Sequence, residues 1–289
     1  MTNAGVKPSL GSYFYLLTIF CRNTSPRSEI LIDILDKIEG KEFEIKDPQD
    51  LFFFVKAVDI ARNHLINIHV AHRIHRLLLT GNNYNLIGEN QMESIYYRHY
   101  LTLMVQSEPL DTFMALYDTL VPNIYIPEPD VMEEILQAIE IAGESAAGEL
   151  LPRIWSQMVM FDHVQRQPLL NRVLQIMHTN CSPPPESPVN KQYADIAWQI
   201  WTRIEGQRAE MRVPLKWSAE MLGQVAVLCI RGGNFERMLT ALSYLIEKEG
   251  TFTGVLLKEH LETILDACIE NGHSVAAVNV VAYAANNGF

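Results

Sequence analysis

The densest group of side chains able to do chemistry lies between Lys56 and Arg76. Lys56, Arg62, Arg73 and Arg76 stand there with His64, His69, His72 and His75, against a single acid, Asp59. Guanidinium and ammonium groups bind phosphate oxygens, and Arg73 and Arg76, three residues apart, share a helix face from which both can reach a nucleic-acid backbone. With Arg98 further on, the candidate contacts to such a backbone are Lys56, Arg62, His72, Arg73, Arg76 and Arg98. The competing reading of the same stretch is the solvated back of a helix. The histidines also raise the question of a metal. Residues three apart drift by about 60° around a helix, so His69, His72 and His75 do not converge on one ion, and no carboxylate sits among them. No metal ligand set and no cofactor are expected.

Catalytic patterns are missing. There is no Gly-rich phosphate loop, no GxSxG and no HExxH, so the expectation is a protein that is not an enzyme and takes no small-molecule substrate. Cys21, Cys181, Cys229 and Cys268 form no CxxC pair. Three of them sit in apolar helical runs and read as reduced core thiols. Ser145 to Gly148 reads as the turn of a helical hairpin. The stripes Phe52 to Phe54 and Met158 with Met160 read as core between repeats.

Composition narrows the classes further. A chain with 48% hydrophobic and 20% charged residues is expected to fold. Its net charge of -11 argues against coating nucleic acid by bulk charge, though a local basic stripe is compatible with it. The longest solid apolar runs, Val225 to Ile230 and Val280 to Ala285, fall far short of the ~20 residues of a membrane span. No secretory or Arg-rich transit segment is evident at the N-terminus. Met1 stands a few residues ahead of a repeat start, which fits a piece of a longer protein.

The elements that must position these groups are paired helices. Between Met92 and Phe161 two amphipathic hairpins follow one another. Leu101 to Met104 superposes on Leu136 to Ile139, and Cys229 to Asn234 superposes on Cys268 to His273. Taking Tyr13 as anchor, equivalents fall at Phe53, Tyr97, Met132, Leu170, Leu222 and Leu261, which gives seven degenerate two-helix units. A unit of this length repeated is the mark of an all-α solenoid. Gly81 to Gly88 reads as a loop. Cys181 to Gln192, with four prolines in six residues, reads as an exposed, flexible loop or hinge. The domain reading is a helical-repeat array over 1–180, a proline-rich loop over 181–192, and repeats continuing the solenoid over 193–289.

Gly5-Val-Lys-Pro-Ser-x-x-Ser-Tyr13 resembles the turn and first helix of a pentatricopeptide repeat. Cys229-Ile-Arg-Gly-Gly-Asn-Phe-Glu-Arg-Met238 resembles that family's inter-helix signature. A run of segments is more specific: Ala71 to Asn83, Tyr96-Tyr97, Leu120 to Pro127 and Leu150 to Trp155. In order and spacing these are similar to the C-terminal half of the pentatricopeptide-repeat family of the animal mitochondrial small ribosomal subunit. The resemblance covers roughly Gly5 to the end. It implies a right-handed α-solenoid of about seven degenerate pentatricopeptide-like hairpins in the mitochondrial matrix. As partners it implies small-subunit proteins and rRNA, with mRNA as a further one.

Members of the wider family read single-stranded RNA one base per repeat, from a position that follows the Tyr13 place and is usually Asn, Thr or Ser. Here those positions hold Phe14, Phe54, Arg98, Glu133, Asn171, Gly223 and Glu262, and only Asn171 fits. Sequence-specific reading is therefore not expected. Two functions remain open. One is a ribosomal component touching rRNA or mRNA through the basic stretch. The other is a helical-repeat scaffold that binds protein only.

Overall fold

In the computed structural model, residues 8–23, 28–39, 45, 48–81, 91–181, 185–207, 215–248 and 251–289 are described. Among them the chain is all-α. Fourteen α-helices follow one another, and the one β-type contact is an isolated bridge between Ser218 and Thr253. The residues at 82–90, where a loop is expected, lie outside the described residues, as do 182–184 of the proline run.

The chain divides into two compact units, residues 1–138 and 139–289. The first holds α1 (Leu10–Asn23), α2 (Ser28–Ile38), α3 (Leu51–Ile60), α4 (Ile68–Gly81), α5 (Gln91–Ser107), α6 (Leu110–Leu120) and most of α7 (Pro129–Ala142). Within it α1 packs on α3 and α3 on α5, while α4 lies against both α3 and α5. Within this unit α1, α3 and α5 thus lie in one row. Tyr13, Phe53 and Tyr97 are all buried in that row, and Tyr13 and Phe53 pack with ring centroids 6.3 Å apart.

The second unit holds α8 (Glu144–Met160), α9 (Gln167–Thr179), α10 (Pro188–Gln207), α11 (Ala219–Arg231), α12 (Phe235–Glu247), α13 (Lys258–Glu270) and α14 (Ser274–Asn286). Here α9, α11 and α13 make the row, and α11 also packs on α10 and α12. That position explains its composition: Met221 to Cys229 are buried on every side, so the helix is apolar all round. The one polar side chain in that run, Gln224, is satisfied by donating to Gln175 on α9 at 2.7 Å. Gly232 marks the closest approach of α10, where an added Cβ would lie 2.4 Å from that of Ala194.

Local chemistry sets the helix ends. Ser218 caps α11 by accepting from the Met221 N–H at 3.1 Å. Pro168 falls in the first turn of α9 and Pro188 opens α10, both places where no backbone donor is lost. The turn after α11 closes with Asn234 N–H on the Cys229 carbonyl and Gly233 N–H on that of Ile230. The turn after α13 repeats both bonds with His273 on Cys268 and Gly272 on Ile269. Each has its glycine at positive φ, 75° and 69°, which is the left-handed helix ending that glycine favours. The matched segments at Cys229 and Cys268 are therefore one structural motif used twice.

Part of the proline stretch differs from the sequence expectation. Residues 188–192 are the first turn of α10, and the Glu186 N–H donates to the Arg231 carbonyl at 2.7 Å. Proline is compatible with a first helical turn, so the density of prolines here marks a helix start as well as a break.

Candidate functional surface

The basic stretch is laid on α3, the π-helical turn Ala61–Leu65 and α4, all within the first unit. Most of its cations face carboxylates or rings of this chain. Arg73 on α4 donates to Glu39 at 2.6 Å and to Asp36 on α2, and this guanidinium holds the Glu39 carboxyl below its usual range. Lys56 pairs with Asp59 at 2.8 Å, and Asp59 also accepts from Asn63. Arg62 donates to Nδ1 of His99 on α5 at 3.1 Å. Arg98 on α5 pairs with Asp130 on α7 at 2.6 Å. Arg76 is exposed and, among the described residues, forms no ion pair.

Two of the four histidines go into the hairpin contact. The Nε2–H of His72 donates to Glu108 at 3.1 Å, which leaves Nδ1 to accept from the Tyr100 hydroxyl at 2.8 Å. His75 is buried, stacked on Tyr100 with centroids 4.5 Å apart and 3.2 Å from the Tyr96 hydroxyl. Burial, with the neighbouring His72 adding to it, lowers the His75 pKa to about 4, so the ring is neutral where it packs. His69 is exposed. Of the six candidate contacts, then, five are engaged within the chain and Arg76 faces solvent.

A second group was invisible to spacing. His178 on α9 and the consecutive Glu259 and His260 on α13 bring one ligand atom each to within 4.8 Å of one another. The two imidazoles meet edge-on, with centroids 4.9 Å apart. His260 is wholly buried and neither ring nitrogen has a hydrogen-bond partner. Burial, reinforced by His178, brings its pKa down to about 4. The same cause lowers that of His178, opposed by Glu259 and Glu220. The separation of 82 positions between His178 and His260 hides the pair in any reading of local pattern.

The base-reading positions of the repeat family are also placed. Phe54 is buried, Arg98 is paired, and Gly223 lies beneath the His260 ring. Glu133 and Asn171 are exposed.

Comparison with known proteins follows this geometry. Small ribosomal subunit protein mS39 of Drosophila melanogaster is 43% identical over 289 residues, 99% of this chain and 44% of the relative. The chain belongs to the mS39 family. The mS39 of Xenopus laevis is 33% identical over 82% of the chain and 34% of the relative, and that of Bos taurus is 29% identical over 97% and 40%. The chain thus spans less than half the length of the curated mS39 proteins it matches. No family model matches it. The resemblance read from the segments at Ala71, Leu120 and Leu150 led to this same family, whose members are named for a ribosomal subunit and not for an enzyme activity.

Proposed function

We propose that this chain is a non-catalytic component of the mitochondrial small ribosomal subunit, acting in the matrix in support of mitochondrial translation. The observation that carries the reading is the 43% identity to Drosophila mS39 over 99% of the chain. In this reading its seven hairpins stack as one right-handed α-solenoid, with the repeats of 193–289 continuing those of 1–180 past the proline-rich stretch. The solenoid meets small-subunit proteins over most of its surface, and the exposed Arg76 supplies phosphate contact to rRNA or mRNA. Contacts of that kind hold any RNA sequence equally. The test is sedimentation. The tagged chain, sent to mitochondria of cultured Drosophila cells by a fused targeting sequence, is expected to co-migrate with small-subunit rRNA. Migration with free protein alone would refute the assignment.

A protein-only scaffold is the second reading. It is favoured by the pairing of Arg73 with Asp36 and Glu39 and of Arg98 with Asp130, which leaves little free positive charge. A filter-binding salt titration separates the two. An RNA contact weakens steeply with salt, and a scaffold shows no retained RNA at any salt concentration.

A further inference from the structure

We propose that His178, Glu259 and His260 form a binding site for a divalent transition-metal ion of the zinc class. Three donor atoms already lie within 4.8 Å of one another. In a tetrahedral zinc site with bonds of about 2.0–2.1 Å the ligand atoms sit roughly 3.3 Å apart. Closing that difference needs only side-chain rotation by Glu259, which is exposed, and His178, which is half-buried. His260 can stay where it is. The two movable ligands therefore surround a fixed one.

The buried imidazole points to a ligand on its own account. A buried ring with both nitrogens unpaired costs free energy that packing alone does not return. Its Nδ1 is pressed against α11, 2.3 Å from where a Gly223 side chain would begin, so no ion fits on that side. Nε2 faces the other way, 4.0 Å from the Glu259 carboxylate. A cation between them would satisfy Nε2 and neutralise the carboxylate.

The donor set selects the ion. Two imidazoles and one carboxylate suit zinc and its neighbours, whereas calcium and magnesium call for oxygen ligands. Three protein ligands leave a fourth position for water or for an atom of a partner. The charges acting on His178 are two carboxylates, Glu259 and Glu220, against one guanidinium, Arg231, so the local balance favours a cation. The site also rests on the fold. α9 and α13 are the outer helices of a row of three, and their imidazoles meet because the helix between them carries glycine at 223.

The test uses the full chain, stripped with a chelator, kept reduced and titrated with zinc chloride by calorimetry. Cobalt chloride serves as a spectroscopic probe. One zinc per chain at a dissociation constant of about micromolar or tighter is expected. His178→Ala, at a half-buried position, and Glu259→Gln, at an exposed one, should each weaken binding by at least about tenfold, the scale of loss seen on perturbing metal sites. Visible cobalt bands should fade in His178→Ala, with the circular dichroism spectrum unchanged. No zinc uptake by the parent at roughly a hundred times that concentration would overturn the site. So would parent affinity retained in either variant, or binding lost instead in Cys181→Ser, which would move the metal to a thiol.

Discussion

Gly223 on α11 lies so close beneath His260 on α13 that a Cβ added to it would stand 2.3 Å from the imidazole Nδ1 and 2.6 Å from the Leu256 Cδ2. Contacts under 3 Å do not survive, so the wholly buried imidazole must shift to admit the added methyl group. Helix propensity by itself would favour alanine at this position by about 1 kcal/mol. Overpacking costs about 1–3 kcal/mol and outweighs that preference. Gly223→Ala should therefore lower the urea midpoint of unfolding. In a His260→Ala background the same change should cost much less, because the main obstacle is gone. Equal penalties in both backgrounds would show that the ring is not what Gly223 accommodates.

His75 makes stability depend on pH. Its folded pKa is lowered to about 4 from the ordinary 6.5, first by burial and then by His72. The unfolded chain therefore takes up a proton between about pH 6.5 and 4 that the folded chain refuses, and stability falls as pH falls through that window. The contribution is of order 3 kcal/mol at most. The groups around the ring are His72, Tyr96, Tyr97 and Tyr100, and the stacking on Tyr100 tolerates a phenyl ring. His75→Phe should leave a shallower decline of unfolding free energy from pH 7 to 4.5. A decline as steep as the parent's would assign the effect to other groups.

The arginines should not be equivalent toward RNA. Arg73 is held by Asp36 and Glu39 and Arg98 by Asp130, so neither is available without breaking an existing pair. Under the RNA-contact reading, Arg76→Ala should reduce the slope of log affinity against log salt by about one, and Arg73→Ala by close to zero. Arg73→Ala should also cost less than about 1 kcal/mol of stability, since its partners are solvent-exposed. A drop in slope on removing Arg73 would mean that RNA displaces the carboxylates.

Ile66 stands at φ 47°, ψ 50°, the residue that ends the π-helical turn Ala61–Leu65 before α4. A β-branched side chain in the left-handed region is strained by roughly 1–2 kcal/mol. This one is 75% exposed, so little burial offsets the strain. Ile66→Asn should raise stability by roughly 1 kcal/mol, because asparagine accepts that conformation without glycine's extra freedom in the unfolded chain. An unchanged or lower melting temperature would show that the isoleucine is held by packing.

Much of the secondary structure was legible in the order of residues, because amphipathic helices encode themselves locally. The seven anchors, Tyr13, Phe53, Tyr97, Met132, Leu170, Leu222 and Leu261, all fall on odd-numbered helices and all are buried. Apolar residues at helical spacing can be buried in few other ways. The glycines at 233 and 272 announced their turns for the same reason, since a left-handed ending needs a residue without a Cβ. Pro188 was harder to place, because proline both ends helices and begins them, and only the chain around it decides which.

Pairings between helices were another matter. Local pattern showed four cations and four histidines in one stretch, and read them as a surface. The tertiary structure turned Arg73 toward α2, His72 and His75 toward α5, and left Arg76 outside. It also joined His178 to His260 across Gly223, from helices whose separation in sequence carries no signal. The sequence by itself determined the helices, their hairpin order and the buried face of each, since these depend on spacing within about 15 residues. Which charges are neutralised and which imidazoles meet depends on side chains brought together by the stacking of successive helices, and that only the tertiary structure decided.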